Sequence, residues 1–183
     1  MSFDQQKKSI LDRKDKSIKG SIDREIKPLV NKINSLNDYY TSSSCAGRIL
    51  LIEFSGRKDK AKWLFIKHSK ATLGEIKDSL KISKEKIWLR QESMIVHICC
   101  RDMQAAQKML RLCHKAGLKR AGIIAAGKRT TVEAYGTERM DTIVAINNKI
   151  IVEDDYLKIL LREANNKLIR NKEKIKQFLL LLR

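Results

Sequence analysis

Seven short apolar runs, each the length of a β-strand, divide this 183-residue chain. They fall at 48–54, 61–67, 86–91, 93–100, 121–126, 130–135 and 142–147. Several are separated by little more than a turn. Strands that close in sequence pair antiparallel, because a parallel pair needs a crossover of a dozen residues or more. Segments with helical periodicity stand between them. The interleaving predicts an α+β fold with a mixed or antiparallel sheet, in a single domain over 1–183. Neither G-x-G-x-x-G nor a complete G-x-x-x-x-G-K-[ST] pattern occurs, so a Rossmann domain is disfavoured.

The helical segments are 5–14, 21–36, 72–81, 102–116 and 155–182. Ser21 is a candidate cap, Pro28 a candidate bend, and Ile22, Ile26, Leu29, Val30 and Ile33 form an apolar stripe. Thr72 with Glu75 reads as a capping box. Over 102–116 the predicted apolar face is Met103, Ala106, Leu110 and Cys113. The opposite face carries Lys108, Arg111 and Lys115, and Gly117 ends the helix. In the last segment Leu157, Leu161, Ala164, Leu168, Ile175, Phe178 and Leu182 follow a heptad rhythm with Asn171 in one core slot. That seam either joins two copies as a homodimer or packs on its own sheet, and packing is favoured.

Charge narrows the partners. The chain has 39 Lys+Arg against 21 Asp+Glu, a net +18. Residues 41–152 hold 22 basic and 10 acidic side chains, so +12 of the excess sits mid-chain. A basic surface of this kind suits a polyanion, with nucleic acid first, although Lys-rich solubilising or heat-adapted surfaces look similar. The cysteines at 45, 99, 100 and 113 form no C-x-x-C pair, which argues against structural zinc and a redox dithiol. The start lacks the apolar core of a signal peptide and no 18-residue apolar stretch occurs. No membrane partner, no metal and a cytoplasmic location are therefore expected.

Four groups of residues carry potential chemistry. Asp15–Asp23 (DKSIKGSID) places Ser17, Lys19 and Asp23 around a helix start, which suits an anion or is an ordinary capped entry. Thr41–Arg48 (TSSSCAGR) reads as a polar loop ahead of a buried strand. Its hydroxyls could hold a polar ligand, and Arg48 could fork a carboxylate or phosphate. His97 lies within the apolar MIVHICC, sharing a face with Ile95 and Cys99, and His68 ends the WLFI strand. His97 reads as a hydrogen-bonded core histidine or as a base near neutral pH, whereas His114 needs no special role. Trp88, Arg90 and Glu92 alternate onto one strand face, either to meet RNA bases and phosphates or to pack across strands with an Arg–Glu pair.

DKSIKGSID, YYTSSSCAGRI, AKWLFIKH, LRQESMIVHI and AGLKRAGI occur in that order. From about residue 12 to 145 the chain resembles the tRNA wybutosine-synthesis methyltransferase family in its archaeal form. The Ser-Ser-Ser-Cys-x-Gly-Arg segment is the most specific part. Ser42 stands where Thr is expected, and Ala46 and Ala121 stand where Ser is common.

The resemblance implies an enzyme: a tRNA N-methyltransferase that uses S-adenosylmethionine to methylate ring nitrogen 4 of the wyosine-type base beside the anticodon of phenylalanine tRNA. It also implies β-rich and helical halves around a curved, barrel-like sheet. Asp23, His97 and His68 become candidate proton acceptors. Ser43, Ser44, Cys45, Arg48 and Glu92 become candidate contacts of the methyl donor. Ser17, Lys19, Trp88, Arg90, Lys119 and Arg120 become candidate contacts of the anticodon stem-loop. The rival class is a non-catalytic basic RNA-binding module, which the charge, Trp88 and the basic stripe would serve equally.

Overall fold

The computed structural model describes residues 1–12, 22–56, 60–80 and 83–182. The element order is α1 (Phe3–Leu11), α2 (Lys27–Ser35), β1 (Tyr39–Cys45), β2 (Arg48–Glu53), β3 (Lys62–Lys67), α3 (Leu73–Ser79), β4 (Ile87–Glu92), β5 (Ile95–Cys100), α4 (Met103–Lys115), β6 (Gly122–Ala126), β7 (Thr130–Tyr135), β8 (Met140–Ile146), β9 (Lys149–Ile150) and α5 (Asp154–Leu181). Every pairing is antiparallel. The α+β class follows as expected. The strands divide between two open sheets, ordered β1-β5-β7-β6 and β3-β2-β4-β8-β9.

The chain clusters into two compact units. The first comprises Met1–Ala46, Met94–Thr137 and Lys172–Arg183. Its core lies on one face of the four-stranded sheet. Val96, Ile98, Val132 and Ala134 point inward there to meet α2, α4 and the end of α5. Pro28 sits in the first turn of α2, where its missing N–H costs nothing, so it opens the helix rather than bending it. Leu29, Val30 and Ile33 are buried as the periodicity predicts, but Ile22 is exposed. Asp102 caps α4 by accepting the Ala105 N–H at 2.7 Å, and Gly117 takes φ +83 beyond its end. The buried face of α4 is Ala105, Ala106, Met109 and Cys113, rotated slightly from the predicted stripe, so Met103 is exposed.

The second unit comprises Gly47–Ser93 and Glu138–Asn171. Ile49 and Leu51 of β2 join Ile87 and Leu89 of β4, packing against Ile76 of α3 and Leu157–Leu168 of α5. The Thr72–Glu75 capping box forms in both directions. A turn with positive φ at Asn147 and Asn148 joins β8 to β9, the geometry whose twist matches a two-residue hairpin.

All the heptad positions of α5 are buried in the cores of this chain, Leu157–Leu168 in the second unit and Ile175, Phe178 and Leu182 in the first. The predicted packing role is realised. Two local readings change. Residues 39–45 form a strand where a polar loop is expected, because their backbone pairs with β5 whatever the side chains are. The strands β4 and β5, consecutive in the chain, belong to different sheets. Ser21 lies outside the described residues.

Candidate active site

The serine segment occupies an edge strand. Tyr39 and Tyr40 anchor its start in buried positions, and Asn34 Oδ1 accepts the Thr41 N–H at 2.8 Å. A register shift between Thr41 and Ser43 then brings Ser43 opposite His97. Ser43 Oγ and His97 Nδ1 are 2.9 Å apart. On its other side His97 faces Glu133 of β7, with His97 Nε2 2.9 Å from Glu133 Oε2. The His97 and Glu133 side chains are 32% and 30% exposed. His97 is therefore not the enclosed histidine that its apolar neighbours predict. Val96 and Ile98 enter the core, and His97 projects from the opposite face.

Asp23 supports the end of the same segment. Its Oδ2 accepts the Ala46 N–H at 3.0 Å. Cys45 is half-buried. The other three cysteines are buried, and burial pushes the Cys100 and Cys113 thiols up to about 12. Cys100 and Cys113 therefore stay protonated and unreactive near neutral pH.

In the second unit Arg48 and Glu92 are direct cross-strand partners, and Arg48 Nε donates to Glu92 Oε2 at 2.7 Å. The Arg48 guanidinium also lies 4.7 Å from the centre of the Trp63 ring. Among the described residues its terminal nitrogens make no hydrogen bond to a carboxylate. His68 Nδ1 is 3.0 Å from the Gly47 carbonyl oxygen. A carbonyl only accepts, so Nδ1 carries the proton and Nε2 holds the lone pair of the neutral ring.

Trp88, Arg90 and Glu92 share a strand face as predicted. The Arg90 partner is Asp141 at 3.1 Å, out of line for a hydrogen bond, rather than Glu92. Its guanidinium stands 5.2 Å from the Trp88 ring and 5.6 Å from the Phe54 ring. Trp88 lines a cavity of about 230 Å³ with Phe54, Ser55, Gly56, Glu85 and Lys86. The Trp88 indole N–H is buried and finds no acceptor among the described residues.

Asp23, Ser43, Cys45 and His97 belong to the first unit, and His68, Arg48, Glu92, Trp88 and Arg90 to the second. Lys119 and Arg120 stand exposed on the turn after α4. Ser17 and Lys19 lie outside the described residues. Glu133, Trp63 and Asp141 are partners that the sequence reading does not name. Trp63 is signalled by its place in AKWLFIKH, but Glu133 and Asp141 become partners only through strand register.

The two open antiparallel sheets, flanked by helices, define an α+β protein without a dinucleotide-type fold. Residues 5–183 match the family model for methyltransferase TYW3, and the chain belongs to that family. It is 38% identical to the Methanocaldococcus jannaschii tRNA(Phe) 7-((3-amino-3-carboxypropyl)-4-demethylwyosine(37)-N(4))-methyltransferase, across 94% of this chain and 93% of that one. The mouse tRNA wybutosine-synthesizing protein 3 homolog is 33% identical, across 96% of this chain and 71% of its own length. A solved structure of a Pyrococcus horikoshii protein superposes with a TM-score of 0.90 at 33% identity, covering 100% of this chain and 96% of that one.

Proposed function

We propose that this chain methylates ring nitrogen 4 of the wyosine-type tricyclic base beside the anticodon of phenylalanine tRNA, with S-adenosylmethionine as donor. The observation that carries the reading is the contact of Ser43 with His97 in the first unit, 2.9 Å between Oγ and Nδ1. In the second unit Arg48 pairs with Glu92.

The residues present suit such a donor. S-adenosylmethionine supplies an electrophilic methyl group on a cationic sulfur, together with an α-amino acid end. The Arg48 guanidinium is a donor suited to a carboxylate. Ser43, Ser44 and Cys45 are the candidate polar contacts of the first unit. Glu92 offers negative charge to the sulfonium or ammonium. Direct transfer needs no covalent enzyme intermediate, so Cys45 acts as a contact rather than a nucleophile. The target nitrogen loses a proton in the reaction. His97, Asp23 and His68 are the candidate acceptors, His97 first because its ring nitrogens lie 2.9 Å from Ser43 Oγ and 2.9 Å from Glu133 Oε2.

Trp88 and Arg90 are the residues we assign to stacking on an RNA base. The exposed cations Lys108, Arg111 and Lys115 of α4, with Lys119 and Arg120 beyond it, track phosphates, and Ser17 and Lys19 extend that role.

Methyl transfer to precursor-bearing tRNA tests the reading. Arg48→Ala and His97→Ala are each expected to lose most activity, and full activity in both removes the assignment. S-adenosylmethionine is expected to raise the melting temperature of the full chain through ligand linkage. An unchanged melt at millimolar donor would favour a non-catalytic RNA-binding module.

A further inference from the structure

Ser43, His97 and Glu133 form a row across three neighbouring strands. Their registers place Ser43 of β1 directly opposite His97 of β5, and His97 directly opposite Glu133 of β7. Paired residues of an antiparallel sheet project to the same side, so the three side chains stand on one face, away from the core. Both links are 2.9 Å.

The direction of these links follows from the chemistry of the groups. An ionised carboxylate can only accept, so the nitrogen facing Glu133 must carry a hydrogen. In neutral His97 that hydrogen is on Nε2, which leaves Nδ1 as the acceptor. The Ser43 hydroxyl must then donate to Nδ1. Its oxygen lone pairs remain to receive a proton, and Ser43 is exposed.

From this we propose that Glu133 is a positioning residue. It holds His97 in the Nε2–H form and so polarises the row in one direction, from the exposed face of Ser43 toward His97. The inference rests on the methyltransferase reading above. In the reaction the target N–H bond breaks as the N–CH₃ bond forms. The departing proton passes to Ser43 Oγ while the Ser43 proton passes to His97 Nδ1. The donor sulfur keeps the electron pair of the broken C–S bond. The imidazolium so formed lies against the Glu133 carboxylate, which offsets its charge. Without Glu133 the Nδ1–H tautomer becomes competitive. Ser43 would then accept from the ring, and the row could not take a proton from outside.

Nitrogen-15 NMR of the histidine rings in the full-length chain reads the tautomer directly. Wild-type His97 is expected as Nε2–H. Glu133→Ala is expected to give a mixture of tautomers and to lower kcat about tenfold or more, with the KM values for donor and tRNA within twofold. Glu133→Gln keeps an acceptor oxygen and is expected to keep the Nε2–H form and more of kcat than the Ala variant. Glu133 is partly exposed, so neither variant should threaten folding. A wild-type tautomer in Glu133→Ala overturns the proposal, and so does a kcat within twofold of wild type. If the wild-type chain transfers no methyl group, the methyltransferase reading falls instead, while the tautomer measurement still decides whether Glu133 positions His97.

Discussion

Ser93 donates its hydroxyl hydrogen to Asn171 Oδ1 at 3.0 Å, and both residues are buried. Asn171 comes from the middle of α5, and Ser93 follows β4, which ends at Glu92. The same amide crowds Gly47: a Cβ built there would stand 2.7 Å from Asn171 Nδ2 and 2.7 Å from the Glu92 carbonyl oxygen. A polar residue in an otherwise apolar helix seam thus packs against the backbone that immediately precedes Arg48.

Gly47→Ala is expected to be costly. Its φ of +85 lies in the left-handed region, worth about 1–2 kcal/mol against a residue with a side chain, and the close contacts add to that. Chemical denaturation should show a loss of at least about 2 kcal/mol. A variant as stable as the parent would mean that this backbone relaxes freely.

Removing Asn171 should leave the Ser93 hydroxyl buried without its acceptor. Asn171→Leu restores the heptad pattern, yet it is expected to destabilise the chain by about 1–3 kcal/mol. Ser93→Ala alone should cost less. In a double-mutant cycle the two substitutions should couple by at least about 0.5 kcal/mol. Additive losses would show that the hydrogen bond contributes nothing specific.

The basic face of α4 makes a prediction about salt. Lys108, Arg111 and Lys115 are exposed, and no ion pair among the described residues involves them. Replacing all three with Gln should weaken tRNA binding and reduce the slope of log K against log salt by roughly 2–3, about one per phosphate contact. An unchanged slope would place the RNA elsewhere.

The capping box of α3 gives a pH-dependent signature. Hydrogen bonds from Lys67 and from Thr72 hold the Glu75 carboxyl down at about 2, against an ordinary value of 4.5. A carboxyl depressed on folding contributes stability above its unfolded value, and that stability is lost as pH falls through the folded value. The contribution should therefore disappear between about pH 4.5 and pH 2. Glu75→Gln should flatten this part of the stability curve, and an identical acid limb in both proteins would contradict it.

Much of this fold was legible because its signals are periodic. The α5 stripe repeats every three to four residues, and all its apolar positions are buried. Trp88, Arg90 and Glu92 shared a face because strand side chains alternate. Thr72 and Glu75 announced a helix start, since a capping box is a contact three residues long. The serine segment was misread for the converse reason. Hydroxyl side chains give no apolar alternation, and β1 exists through backbone pairing with a strand some fifty residues away, as in Thr41 opposite Ile98.

The candidate site divides along the same line. By itself the sequence determined the periodic local elements, though not β1, the concentration of positive charge in 41–152, and a motif whose resemblance named the family. The partners were decided in three dimensions. Arg48 meets Glu92 from 44 residues away, and His97 meets Glu133 from 36. These pairs follow from strand register, and a shift of one residue turns every side chain to the opposite face. Register is set by which apolar faces reach the core and where bulges fall, so only the assembled sheets could decide that Ser43 stands beside His97 and His97 beside Glu133.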